Sequence, residues 1–315
     1  MNRSAAFALG SIAGYLADAA LADPRRGHPV AAFGTAAGRL ERALWRNRRA
    51  AGAVYTAACV GAVAAGAVLA ERALGRSRCG QAALAAAATW TVLGGTSLTR
   101  EARTIGRSLQ AGDLTAARAR LPHLCGRDPS ALDEQQIARA VVESVAENTA
   151  DAVVNALTWG ALAGTPGLLA FRAVNTLDAM VGHRSPRHLR FGWASARLDD
   201  VAGWPGARLT ALLTVAAAPE RGTAWRVWRR DGSAHPSPNA GQAESAFAGA
   251  LGVRLGGTLH YGERVEHRPV LGAELRPVAV GDIERACRLS RRVGVLALAA
   301  TVAGRTLWTW RRRRT

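Results

Sequence analysis

Arg139-Ala-Val-Val-Glu143-Ser-Val-Ala-Glu147-Asn148-Thr-Ala-Asp151 leads without a break into twenty residues that carry no charge, Ala152 to Phe171. On a helix, Arg139, Glu143, Glu147 and Asp151 recur every four residues, forming a polar stripe beside the apolar stripe of Ile137, Val141 and Val145. Like charges at this spacing oppose an isolated helix by about 0.2–0.5 kcal/mol per pair, so something positive is expected over the stripe. A divalent cation held by carboxylate oxygens answers that need, and so do arginines from elsewhere in the chain. The plainest alternative is a solvated face on which Arg139 pairs with Glu143.

The uncharged run is as long as a bilayer core, roughly 30 Å at 1.5 Å per residue. A full crossing would leave the carboxylates and the polar residues after Arg172 on opposite sides. Gly164-Thr165-Pro166-Gly167 interrupts the run, and two half-helices forming a re-entrant hairpin would return the chain to its starting face.

Working outward, Ala50 to Ala70 is uncharged between Arg48-Arg49 and Glu71-Arg72, and Cys79 to Thr99 repeats the pattern between Arg78 and Arg100. Both read as membrane helices, with Gly61-x-x-x-x-Gly66 suited to close packing. Met1 to Leu21 reads as a retained membrane or interfacial helix. Asp18 and then Asp23-Pro24-Arg25-Arg26-Gly27-His28-Pro29-Val30 stand where a signal peptide would have a cleavage site. The expected fold is all-α: a multi-pass integral membrane protein with four to five membrane helices, the re-entrant hairpin and amphipathic helical loops, in one domain over residues 1–315. A mean hydropathy of only +0.02 keeps open buried helices of a soluble α-domain.

Hydrophobic residues make up 49% and aromatic residues only 5%, a helix-former's composition of Ala, Val and Leu. All 41 basic residues are Arg, against 23 acidic ones, for a net charge of +18. Absence of Lys excludes a Walker-A lysine and a Schiff-base lysine. The arginines are spread along the chain, with one short cluster at Arg311 to Arg314, and no aromatic interleaving or zinc-finger spacing accompanies them, so nucleic acid is not the expected partner. Acidic lipid headgroups or a phosphorylated substrate fit the charge better. The four cysteines, Cys59, Cys79, Cys125 and Cys287, form no CxxC pair and are expected to pack as small apolar residues.

Between the apolar runs, residues 100–127 predict one or two amphipathic helices broken at Gly112-Asp113. Asp128-Pro129 or Ser130 is expected to cap the next helix, with Asp133 and Glu134 in its first turn. Asn175 and Asp178 share a face with Arg172 close by. Further on, Arg197 and Arg208 bracket Asp199-Asp200, and Trp204-Pro205-Gly206 reads as a stop. Leu209 to Pro219 is apolar but too short to cross unless its helix starts earlier. Asn239 is expected to cap a helix of small residues ending at Gly256-Gly257, whose first N–H groups suit a phosphate. Val293 to Trp310 is the last apolar stretch, with Arg311 to Arg314 anchoring it to an anionic cytoplasmic leaflet.

The polar set is therefore Glu143, Glu147, Asn148, Asp151, Asn175, Asp178, Asp199 and Asp200, with His28, His183, Arg184, Arg197, Arg208 and Asn239. Carboxylates and arginines beside membrane spans suit phosphoryl substrates, with Mg²⁺ bridging carboxylate and phosphate oxygens. No nucleophile-elbow motif is present, and His28 and His183 lack metal-ligand partners at helical spacing.

The blocks Val142 to Asp151, Arg172 to Gly182, Phe191 to Arg208 and Pro238-Asn239-Ala240-Gly241 resemble, in order, the signature blocks of the adenosylcobinamide-phosphate synthase family of cobalamin biosynthesis. Asp23-Pro24 through His28-Pro29-Val30 is similar to an early block of that family. Asn155 departs from a common proline, and Gly203 and Gly206 from a usual Asn and Pro. The resemblance implies a multi-pass enzyme of the inner membrane, its site facing the cytoplasm. It would join adenosylcobyric acid to (R)-1-amino-2-propanol or its O-phosphate through an amide bond, with ATP and Mg²⁺, and other corrinoid-pathway enzymes are possible partners. On that basis Glu143, Glu147, Asp151 and Asp178 would hold Mg²⁺–ATP, with one of them or Asp199 taking the amine proton. Arg184, Arg197 and Arg208 would clamp phosphate, joined by Asn148, Asn175, Asn239 and His28. A metal-dependent prenyl or alcohol-phosphate transferase and a non-catalytic corrinoid transporter or scaffold are the rival classes.

Overall fold

The computed structural model describes residues 3–24, 27–74, 77–261 and 264–311. In chain order it runs α1 (Arg3–Leu21), α2 (Pro29–Leu44), α3 (Arg49–Leu74), α4 (Arg78–Val92), α5 (Gly95–Gln110), α6 (Leu114–Arg120) and α7 (Glu134–Thr149). Then follow α8 (Asn155–Leu177), α9 (Trp193–Ala217), α10 (Arg221–Asp231), α11 (Ala240–Leu251), the strands β1 (Leu255–Tyr261) and β2 (Arg264–Leu271), and α12 (Gly281–Arg311). The described residues are mostly helical, as expected, and include an antiparallel β1–β2 pair that the sequence reading missed.

The residues divide into two compact units. The first comprises residues 1–94, 151–205 and 297–315, the second 95–150 and 206–296. In the first unit α1 lies along α4, where Gly10 and Gly14 let the backbones touch: a Cβ at Gly10 would sit 2.4 Å from the Ala82 carbonyl oxygen. Gly52 of α3 meets the Phe191 carbonyl oxygen still more closely, near the tilted ring pair of Tyr55 and Phe191, whose centroids are 5.1 Å apart. Around them Ala37, Cys59, Leu177 and Val181 close the core. Gly61 and Gly66, expected to make the close contacts, have nothing near them.

Among the described residues, three helical runs are long and apolar enough to cross a membrane: Arg3–Leu21, Arg49–Leu74 and the continuous Glu134–Gly182. Leu9, Leu16, Val54, Leu69 and Leu162 project outward from them, exposed, as lipid-facing side chains do. Cys79 to Thr99 is not such a span. Helix α4 has 15 residues, about 22 Å, and ends where Leu93 turns extended ahead of Gly94-Gly95. Residues 293–310 belong to α12, which falls outside the three runs, and Arg312 to Arg314 lie outside the described residues.

The third run is not straight. Gly164 adopts φ 70° and ψ −157°, a conformation that glycine reaches without a steric penalty, and the chain reverses there. Residues eight apart in a straight helix are about 12 Å apart. Here a Cβ at Gly160 would lie 3.5 Å from the Leu168 Cβ, and one at Gly167 2.6 Å from the Trp159 carbonyl oxygen. The arms on either side are thus folded together. The turn is clamped at both helix ends by opposite charges: the Thr165 N–H donates to Glu71 Oε1 at 3.2 Å, and Arg305 donates to the carbonyls of Gly160 (3.2 Å) and Ala161 (2.7 Å).

Other local signals move by a few residues. The cap of α7 is Asp133, in a capping box with Gln136, and not Asp128 or Ser130. Asp113 caps α6 as the Gly112-Asp113 break implies. Pro205 does not stop α9, which runs through it, since its neighbours hold the helix while one backbone bond is lost. Helix α11 ends at Leu251 with Gly252 left-handed at φ 68°, so Gly256-Gly257 belong to a bulge in β1. Cys59 and Cys287 are buried as expected, whereas Cys79 is exposed.

Replacing Gly52 with Ala should cost about 2 kcal/mol or more through collision with the Phe191 carbonyl. Gly61→Ala should be neutral or stabilising by up to about 1 kcal/mol, because its new methyl meets nothing. Thermal unfolding of both variants in detergent checks the contrast.

Candidate functional site

Two sets of charged groups stand out, each complete within its own unit. In the first unit, Asp151 lies in a π-helical turn, Ala150–Val154, and Asp178 opens a second one, Asp178–Gly182. Such turns widen the helix locally and are frequent at functional sites. Asn155 Nδ2 donates to Asp151 Oδ1 at 3.4 Å, so the residue that replaces the family's proline holds a carboxylate. Asn175 Nδ2 reaches Asp199 Oδ1 of α9 at 3.4 Å, and Asp178 follows one turn after Asn175. Arg172 lies in the field of Asp151 and Asp23. His28 accepts from the Val30 N–H through Nδ1 at 3.1 Å and points Nε2 at Asp23 Oδ1, 3.3 Å away, so it caps α2 and meets Asp23. Gly182 leaves room for the Asp178 carboxylate, which would have to move if a Cβ were added there.

In the second unit the face of α7 carries Glu143, 3% exposed. Its oxygens are taken by Arg127 and by the Gly256 N–H at 2.7 Å, with Arg139 at 3.9 Å. Arginines answer the like-charge problem at this residue, as one of the sequence alternatives held. Arg139 also donates to the Thr258 carbonyl at 2.8 Å, which ties α7 to β1. Glu147 is exposed and lies in the field of Arg268, Arg127 and Glu143. Asn148 Nδ2 turns back to the Ser144 carbonyl at 2.9 Å. Glu244 on the fully buried α11 completes the group. Burial, with Glu143 and Glu147 nearby, pushes its carboxyl well above the usual range. His235 is held below its ordinary value by burial and then by Arg268, whose Nη1 is 3.2 Å from its Nε2.

The chain matches the CobD/Cbib protein family over residues 11–290. It is 52% identical over 304 residues to the cobalamin biosynthesis protein CobD of Mycobacterium tuberculosis, covering 95% of this chain and 96% of the relative. The CobD of Rhodobacter capsulatus is 39% identical over 291 residues, 90% and 91% of the two chains, and that of Geobacter metallireducens 43% over 274 residues, 84% and 86%. The chain belongs to the CobD/Cbib family. No solved structure matches it.

The family blocks coincide with the two charged sets. Asp151, Asn175, Asp178 and Asp199 share the first unit with His28, Arg184 and Arg197; Arg184 is exposed just past the second π turn, and Arg197 pairs with Asp200 at 3.2 Å. Glu143, Glu147, Asn148, Arg208 and Asn239 lie in the second unit. Asn239 does precede α11, but its side chain does not cap it; Oδ1 accepts from Arg208 at 3.1 Å while Ser237 Oγ caps the Asn239 and Ala240 N–H groups. Burial lowers the affinity of Arg208 for its proton. Among the described residues, no three His, Cys, Asp or Glu side chains converge as a metal cage.

Sequence reasoning missed Arg127, Glu244, Arg268 and His235. Glu244 stood in the quoted Pro238–Glu244 stretch without a partner in sequence, and its buried helix of small residues was the available signal. The stripe's four-residue spacing also ends at Glu147, because the π turn inserts a residue that no side-chain pattern announces.

Glu244 gives a pH test. Its carboxyl is raised in the folded protein, so its neutral form favours the native state, and the contribution falls as pH climbs above the unfolded carboxyl range. The loss has a limiting slope of about 1.4 kcal/mol per pH unit. Glu244→Gln should therefore raise the unfolding temperature at pH 8 more than at pH 5; an equal shift at both would mean that Glu244 is ionised in the fold. Arg127→Ala, which strands Glu143, should cost about 3–5 kcal/mol.

Proposed function

We propose that this chain acts in cobalamin biosynthesis as an ATP-dependent acid–amine ligase of the inner membrane, its site on the cytoplasmic side where ATP is available. It would join adenosylcobyric acid to (R)-1-amino-2-propanol or its O-phosphate. The observation that carries this reading is the first-unit set: three aspartates, two of them in π turns, with Asn155 donating to Asp151 and Asn175 to Asp199.

An amide forms from a carboxylate and an amine only once the acid is activated and the amine is neutral. Transfer of the terminal phosphoryl group of ATP to the corrin carboxylate gives an acyl phosphate and ADP; attack by the amine then forms the C–N bond, releases phosphate and sheds one proton. Mg²⁺, when bound, neutralises phosphate charge. An ion of this kind prefers oxygen donors, needs only one or two carboxylates and takes its remaining positions from phosphate and water. Asp151 and Asp178, both in the first unit, would hold it in this reading, while Glu147 is exposed in the second unit. Glu143 is already engaged by protein donors and acts in positioning α7 and β1. Asp199, aligned by Asn175, would take the amine proton. Arg184 and Arg197 would meet the phosphate of the amine, while Arg208 with Asn239 fixes the start of α11.

The Gly164 reversal supports a re-entrant hairpin. Asp151 stands 13 residues before it and Asp178 14 residues after, so both arms climb about 20 Å and bring the carboxylates to one level.

Purified protein supplied with adenosylcobyric acid, ATP, Mg²⁺ and aminopropanol phosphate should yield the amide by mass spectrometry. Asp178→Asn and Asp199→Asn should each lower the rate by about 10²-fold or more. Full activity in both would remove these roles. Single cysteines at positions 184 and 74, in a cysteine-free background, should be labelled by an impermeant maleimide from opposite sides of the membrane, 184 from the cytoplasm. Labelling from one side would break the hairpin topology.

A further inference from the structure

Within the first unit, at the turn of the α8 hairpin, a cavity of about 420 Å³ is walled by Arg3, Phe7, Val68, Glu71, Arg72 and Arg305. It is separate from the carboxylate set, since some 20 Å of helix lies between Gly164 and either Asp151 or Asp178. Three guanidinium groups face a single carboxylate, and that carboxylate already accepts from the Thr165 N–H. Arg305 stacks over the Phe7 ring at 4.4 Å and spends Nη1 on two carbonyls, while its buried Nε has no hydrogen-bond partner among the described residues. Burying a guanidinium N–H without an acceptor is costly, so an acceptor is expected in the cavity.

We infer that this cavity binds the phosphate headgroup of an anionic phospholipid. Forked guanidinium donors match phosphate oxygens. A lipid source fits the surroundings better than a free phosphate, because Leu69, Leu162 and Leu307, all exposed, stand on the same helices beside Val68, Gly164 and Arg305 and offer an apolar track for the acyl chains. The headgroup would screen the arginines from one another and so brace the turn that aligns the two hairpin arms. Membrane embedding is all that this requires; the ligase reading is not used.

The test is native mass spectrometry of the full chain in detergent, titrated with phosphatidylglycerol or phosphatidylcholine. Wild type should retain phosphatidylglycerol in preference to phosphatidylcholine, and Arg3→Gln with Arg72→Gln, both exposed arginines, should reduce that preference roughly tenfold. Arg226→Gln, exposed in the second unit, controls for loss of net charge and should leave the preference intact. Equal retention of the two lipids would overturn the inference, as would an unchanged preference in the double variant. Displacement of phosphatidylglycerol by millimolar inorganic phosphate would overturn the lipid assignment in favour of a soluble anion.

Discussion

The clamp on the Gly164 turn governs the first unit. A helix that reverses inside an apolar environment exposes carbonyls at the end of one arm and N–H groups at the start of the next, and lipid can satisfy neither. Arg305 takes the carbonyls and Glu71 takes the N–H, so each charge meets the helix end of opposite sign. Because α3 supplies Glu71 and α12 supplies Arg305, the hairpin is fixed to two other helices at its tip. The positions of Asp151 and Asp178 at the far ends of its arms follow from that.

The second unit solves a different electrostatic problem. Three glutamates gather around α7 and α11, and simple repulsion would drive them apart. The structure divides them by environment: Glu143 pairs with Arg127 and a backbone N–H, Glu147 is exposed, and Glu244 is buried, its carboxyl pushed well above the usual range by burial and by its two neighbours. A paired carboxylate, an exposed one and a buried one thus lie within a single network. Removing Arg127 or ionising Glu244 unbalances it. Anchoring through Arg139 to β1 couples the network to a hairpin that would otherwise have little core of its own.

The sequence made an apolar, membrane-length helix legible in residues 50–70, where charge was absent over a full bilayer length, and it marked the break at Gly164 because Gly-Thr-Pro-Gly interrupts an apolar run. It overstated residues 79–99 because composition alone does not show a break at Leu93-Gly94, where the backbone turns extended with no charge to mark it. The candidate residues were found by the family blocks and by four-residue spacing. What spacing could not show was the pair of π turns, which leave composition untouched, or the arrival of Arg127, Arg268 and His235 from distant segments. The Gly61/Gly66 expectation failed for a related reason: a small residue permits close approach but does not say which helix approaches.

Small residues also explain how a membrane protein can have a mean hydropathy near zero. At Gly10 and Gly14 the side chain is absent where α4 lies, and at Gly52 where the Phe191 backbone passes, so association rests on backbone contact and dispersion over short distances and requires few large apolar groups. Lipid-like association of this kind gains nothing from added hydrophobicity, which leaves composition free to carry arginine. The arginines in turn are placed where they have work: at helix ends, against buried carboxylates, or over an aromatic ring. A high positive charge and weak hydropathy are therefore two consequences of one arrangement, in which glycine brings helices together and guanidinium groups satisfy the polar ends that such close packing leaves exposed.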